Sequence, residues 1–142
     1  MNAPNHWLIF ALGSALFAAM TALLGKLGVA GINSNLATFI RTVVILVMTF
    51  GIVTLRGQWQ PLGKIPPFGI AMLVLSGIAT GLSWLCYYRA LQLGPASKVA
   101  PIDKLSVVIV IIGAALFLNE SLTWKTALGG SLIAAGTILV AL

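Results

Sequence analysis

Apolar residues run through this chain in long blocks, and short polar or glycine- and proline-rich breaks separate them. A bilayer core of about 30 Å needs about 20 apolar residues at the helical rise of 1.5 Å each. The blocks at residues 7–28, 36–55, 67–91, 96–118 and 123–142 all reach that length. Backbone groups in lipid must be bonded within the segment, so each block is expected to be a helix. The breaks agree. Gly31, Asn33, Ser34 and Asn35 follow the first block, and Arg56-Gly57-Gln58 ends the second. Pro61, Gly63 and Pro66 fill the next loop. Gly94-Pro95 is a strong stop, since glycine suits a helix end and proline cannot continue one. Asn119-Glu120-Ser121 leaves room only for a tight connection. The reading is an all-α, polytopic membrane protein of five transmembrane helices, one domain over residues 1–142. An odd number of spans sets the two ends on opposite sides.

Composition supports lipid as the solvent. Hydrophobic residues make up 60% of the 142 and charged residues 7%, against about 25% charged in soluble domains. The mean hydropathy is +1.10. The stretch before Trp7 has no Lys or Arg, its apolar run exceeds a signal-peptide core, and no polar domain follows, so it reads as a permanent span. The net charge of +6 comes from eight Lys+Arg against two Asp+Glu. These cations are scattered over helix and loop ends with no basic run, which points to topology and lipid headgroups and away from nucleic acid.

Catalytic and metal chemistry find no material here. Cys86 is the single cysteine and His6 the single histidine, so an intrachain disulfide, a zinc set and a Ser-His pair are all excluded. No cofactor is expected, and an intramembrane enzyme lacks a nucleophile and its base.

The charges inside the spans carry the functional signal, because a charge at depth costs about 2.5–3.5 kcal/mol even on insertion scales. Arg41 lies about two turns into the second block, and Asp103 and Lys104 about two turns into the fourth. Following the chain up and down puts Arg41 and Asp103 at similar depth, with Lys26 and Arg89 nearer the same surface. On an ideal helix the adjacent Asp103 and Lys104 point about 100° apart, so each is expected to need its own partner. Arg41 is the best partner for Asp103, with Lys26 or Lys104 as alternatives. Two readings stand side by side: snorkelling plus one packing ion pair, or a polar substrate site in which Asp103 takes a proton. Glu120, near Lys125, reads as a helix-end contact that suits the N-terminal dipole of the fifth helix. Trp84, Tyr87 and Tyr88 cluster late in the third block. Trp84 lies deeper than an interfacial aromatic should and is a candidate cavity wall. Pro101 should weaken or kink the fourth helix.

Small residues at four-residue spacing mark close helix contacts in lipid. Gly77 and Gly81 form one such pair in the third block, and Ala127, Ser131 and Ala135 a stripe in the fifth, with Ser14, Ala18 and Ala22 in the first. At least one of these is expected to face another chain.

Several of these features combine into a resemblance. Residues 88–108 carry Ala90-Leu91, Ala96-Ser97 and Val99-Ala100-Pro101. They are followed by Leu118-Asn-Glu-Ser-Leu122 and a glycine-rich last helix with Gly129, Gly130 and Gly136. This resembles the EamA domain of the drug/metabolite transporter superfamily, in its short five-helix form, over essentially the whole chain. Arg41 matches an arginine common in that family's second helix. Ser106 departs from it, where two-domain members usually have proline.

The resemblance implies a secondary transporter, often an exporter, of a small organic molecule in the cytoplasmic membrane. Two-domain members hold ten helices in inverted repeat, so a single unit implies a second copy of itself as an antiparallel homodimer, or a sister chain. The glutamate that the related small multidrug resistance proteins use in their first helix has no counterpart in residues 7–28. Loop charges give no orientation: Arg56, Lys64 and Lys125 on the N-terminal side face Lys26 and Lys98, with Arg89 at the edge. The other class of reading is a non-transporting membrane subunit, against which the embedded Arg41, Asp103 and Lys104 argue.

Overall fold

A computed structural model describes residues 6–142. All regular structure among the described residues is helical: α1 (His6–Gly28), α2 (Ser34–Leu55), α3 (Pro67–Leu93), α4 (Ala96–Asp103), α5 (Leu105–Phe117) and α6 (Trp124–Ala141), with a 3-10 turn at Leu62–Lys64. Five segments are long and apolar enough to cross a membrane, because α4 and α5 together make one, Ala96–Phe117. The chain is a multi-pass membrane protein. Large apolar side chains cover its outer surface, as on Phe10 (77% exposed), Leu73 (72%) and Leu139 (74%), which only a lipid solvent tolerates on this scale.

The ends of the spans are made by local chemistry that the sequence announced. Asn33 caps α2, its side chain accepting from Asn35 N at 2.9 Å. At the other end Gly57 takes φ +61°. Gly57 N then donates to Thr54 O and Gln58 N to Val53 O, at 3.1 and 3.0 Å, a Schellman closure. Trp59 folds back on this end. Its Nε1 donates to Thr54 Oγ1 at 3.2 Å, and its ring meets Phe50 edge-on at 5.4 Å. Gly57→Ala puts a Cβ into the left-handed region and is expected to lower stability by about 1–2 kcal/mol. Unfolding followed by helicity in detergent checks this. Pro95 caps α4. Asn119 at φ +57° turns the chain after α5, and Glu120 N reaches back to Ala114 O at 3.2 Å. Thr123 caps α6, accepting from Thr126 N.

The fold divides into two units, one of residues 25–92 and one of residues 6–24 with 93–142. In the first, the C-terminal third of α3 packs parallel to the α1 end and antiparallel to the start of α2. Leu91 and Val29 are the largest fully buried side chains. Gly25 lies so close to Tyr88 that a Cβ there would stand 3.2 Å from the Tyr88 hydroxyl. Lys26 Nζ donates to Leu91 O at 2.6 Å and Gln92 Nε2 to Ile32 O at 2.7 Å. A cation on the last carbonyls of α3 and an amide on the turn after α1 together tie the ends of these helices.

In the second unit, α6 runs antiparallel to α4 and α5. The pairs that touch are Gly130 with Ile111, Thr137 with Pro101 and Ala141 with Lys98. Lys98 Nζ donates to Ala141 O at 3.2 Å. Hydroxyls on lipid-facing positions return to their own helix: Thr49 and Thr54 in α2, Thr80 in α3 and Ser131 in α6 each donate to the carbonyl four residues back. That satisfies them where no water is available.

The fourth span corrects the expectation of one helix over 96–118. It breaks at Lys104. Pro101 has no N–H to give to Ser97. Three residues on, Lys104 N donates to Pro101 O at 2.9 Å, a short turn in place of the helical ladder. Ser106 Oγ then takes Asp103 O at 2.7 Å. Thr137 Oγ1 supplies a second donor to Pro101 O at 3.3 Å, so the broken backbone is re-bonded by a neighbouring helix, as a bilayer requires.

Candidate functional site

Two polar clusters lie within the spans, one in each unit. The first joins α2 and α3. Trp84, Tyr87, Tyr88 and Leu91 follow the i, i+3, i+4, i+7 spacing that puts them on one helical face. Tyr88 and Leu91 are buried. The three rings lie edge-on or tilted to one another, with centroids 5.7 to 6.4 Å apart. Arg41, seven residues after the first residue of α2 and so about 10 Å along the axis, lays its guanidinium on Trp84. Its Cζ is 3.1 Å from the Trp84 centroid and 5.9 Å from that of Tyr88.

The charge balance of this cluster is one-sided. Residues 25–92 contain no Asp or Glu. Within this unit Arg41 meets no hydrogen-bond acceptor among the described residues. A desolvated cation on an indole face gains about 2 kcal/mol or more, while a cation in mid-span costs about 2.5–3.5 kcal/mol. The stack therefore offsets most of the burial cost but leaves five N–H donors to be satisfied.

The second cluster sits on the α4–α5 break. Lys104 Nζ and Asp103 Oδ2 are 3.3 Å apart, with the side chains 53% and 37% exposed. This corrects the expectation that these neighbours would not pair. The helix breaks at Lys104, and the four-carbon Lys104 stem reaches back to its neighbour. Lys104, the alternative partner, is thus the one Asp103 takes. Arg41 is engaged by Trp84, and Lys26 by Leu91 O. Glu120 is exposed, and its carboxylate makes no ion pair with Lys125 among the described residues. The side chain that caps α6 is that of Thr123.

Two of the three small-residue faces are open within the chain, while Ala22 of the face in α1 is buried. A Cβ on Gly77 or Gly81 would meet nothing within 4 Å, and Ala127, Ser131 and Ala135 are exposed. α6 packs instead through Gly130, where a Cβ would stand 3.2 Å from Ile111 Cδ1. Sequence reasoning missed Gly25, Gln92, Lys98 and Thr137 as structural partners. Thr137, a hydroxyl in an apolar run, was the one with a visible signal. Cys86 is exposed, not a packing residue within the chain.

The sequence profile of the EamA-like transporter family matches residues 5–142. The chain belongs to the EamA-like transporter family. It is 54% identical over 137 residues to an "uncharacterized transporter in cobO 3'region" of Sinorhizobium sp, covering 96% of this chain and 97% of that one. It is also similar to a probable 4-amino-4-deoxy-L-arabinose-phosphoundecaprenol flippase subunit ArnE of Aeromonas salmonicida, 32% identical over 58% of this chain and 73% of that one. A probable subunit ArnF of the same kind of flippase, from Erwinia tasmaniensis, is 36% identical over 52% and 60%. No solved structure matches. In this EamA-family chain, Val99-Ala100-Pro101 lies at the broken helix and Glu120 on the turn that follows α5.

Proposed function

We propose that this chain is one half of a secondary transporter that exports a small organic metabolite by alternating access as an antiparallel homodimer. The observation that carries the reading is a family of transporters joined to charged side chains held inside the spans. Arg41 rests on Trp84, and Asp103 pairs with Lys104 on a broken helix. A span interrupted at membrane depth frees backbone and side chains to line a path, which is how many transporters build their sites. Asp103, Arg41 and Lys104, with Trp84, Tyr87 and Tyr88, are the substrate or coupling residues on this reading. A subunit that only packed against a partner would gain from apolar residues at these positions.

The dimer is supported by the Sinorhizobium transporter, which the match covers almost end to end. A chain of about this length is named a transporter there. The open faces at Gly77 and Gly81, and at Ala127, Ser131 and Ala135, are the contacts such a dimer would use. A second reading has specific support: the relatives in Aeromonas and Erwinia are each named a flippase subunit, which favours a sister chain as partner. The cytoplasmic membrane is the location proposed, because helical bundles are the form taken by spans of this hydrophobicity and the relatives are bacterial.

Liposomes holding only this chain, loaded with a mixed pool of amino acids, sugars and organic acids, test the reading. At least one solute is expected to leave faster than from empty liposomes, as read by mass spectrometry of the outside medium. Equal leakage from both would favour the sister-chain or subunit reading.

A further inference from the structure

We infer that Arg41, stacked on Trp84, is a receptor for an oxyanion, a phosphate or a carboxylate. Naming that oxyanion as part of the cargo rests on the transporter reading above; the binding site itself does not.

Three observations carry it. Trp84 covers one face of the guanidinium at 3.1 Å, which fixes its plane and leaves its N–H edges as the binding surface. Those edges meet no acceptor within residues 25–92 among the described residues, and that stretch contains no Asp or Glu. The surroundings also hold the geometry rigid. Tyr88 is buried against Gly25, and it supports Trp84 at 5.9 Å between centroids. A planar fork with its face pinned and its edge open matches the two oxygens of a carboxylate or phosphate, which arginine binds bidentately. The same geometry argues against a cationic ligand in the aromatic cluster. The indole face that a quaternary ammonium would use is already occupied, by a like charge.

Two sources can present that chemistry, a soluble anion or a lipid headgroup phosphate. α2 side chains tilt toward its N-terminus, the nearer end of the span, so a headgroup drawn inward is geometrically open to Arg41.

The test uses the full chain in nanodiscs with Trp7, Trp59 and Trp124 replaced by Phe, so that emission reports Trp84 alone. Inorganic phosphate, succinate and decyl phosphate are titrated in separate runs, with tetramethylammonium as the cationic probe. The expected result is a saturable change in Trp84 emission with at least one anion, and none with tetramethylammonium. Arg41→Gln should weaken that response about tenfold or more. Arg41→Lys, which keeps the charge and loses the fork, should fall between. Circular dichroism and a single elution peak show that each variant is folded. Discs of phosphatidylcholine and of phosphate-free galactolipid separate the sources. Equal titration in both assigns a soluble anion. A response in galactolipid that phosphatidylcholine has already saturated assigns the headgroup. No Arg41-dependent response to any anion in either lipid, or saturable binding of tetramethylammonium, overturns the inference. Flux separates the two claims. Anion binding without any flux would leave the site and remove the transporter. Flux by the unsubstituted Arg41 chain with no anion response in either lipid would do the reverse.

Discussion

Asp103→Asn is expected to reduce transport about tenfold or more, while Glu120→Gln leaves it within about twofold. The two acids are the chain's full complement of carboxylate side chains, yet they stand in different places. Asp103 closes α4 and pairs with Lys104 at 3.3 Å. Glu120 lies on the exposed turn after α5, held by its backbone N–H to Ala114 O. Asparagine keeps the shape of Asp103 but strands the Lys104 ammonium at membrane depth. A cation in mid-span costs about 2.5–3.5 kcal/mol. Roughly half of that survives the partial exposure of the pair, and about 1.4 kcal/mol is already tenfold. The double variant Asp103→Asn with Lys104→Gln separates two roles. Recovery of flux would mean that Asp103 serves to balance Lys104. Continued loss would mean that the charge or proton of Asp103, or the charge of Lys104, is itself used. Wild-type flux in both single variants would remove Asp103 from the mechanism.

The spans were legible because burial in lipid has a length, and five apolar blocks met it. Their ends were legible because Gly57, Asn33 and Pro95 each do one local thing that few residues can. The broken fourth span was legible only in part. Pro101 announces that the ladder must fail, but not where. The failure falls at Lys104, because the Ser106 hydroxyl competes for Asp103 O and Thr137 on α6 holds Pro101 O. The second of those depends on which helix lies alongside, and no local pattern encodes that. Ser106 thus takes part in the break through its hydroxyl.

The polar residues follow the same division. Arg41, Asp103, Lys104 and the aromatic trio stood out because each is misplaced in an apolar span. Charge and depth favoured an Arg41–Asp103 pair. The bonds actually made depend on reach. Lys104 is long enough to turn back on its neighbour, and the flat guanidinium of Arg41 finds a flat indole. The cations at helix ends divide likewise. Lys26 and Lys98 could be read as end residues, but not as donors to Leu91 O and Ala141 O, carbonyls 65 and 43 positions away in the chain.

Reporters fused to the C-terminus are expected to be active on both sides of the membrane. An alternating-access transporter built from two inverted halves exchanges their conformations around one central site. A homodimer can reproduce that relation only if its two copies insert in opposite senses. The orientation signal is balanced enough to allow it: Arg56, Lys64 and Lys125 on the N-terminal side stand against Lys26 and Lys98, with Arg89 at the edge. Lys26 and Lys98 are moreover bonded to helix-end carbonyls, which keeps them close to the spans where topology charges count. A phosphatase that works only outside the cytoplasm and a fluorescent protein that folds only inside it should therefore both give signal from one chain. Adding lysines to the connection after α5 should silence one of the two reporters and abolish flux, and co-expressing a chain biased the other way should restore it. Signal from a single side, in cells that express this chain alone and still transport, would rule the antiparallel homodimer out.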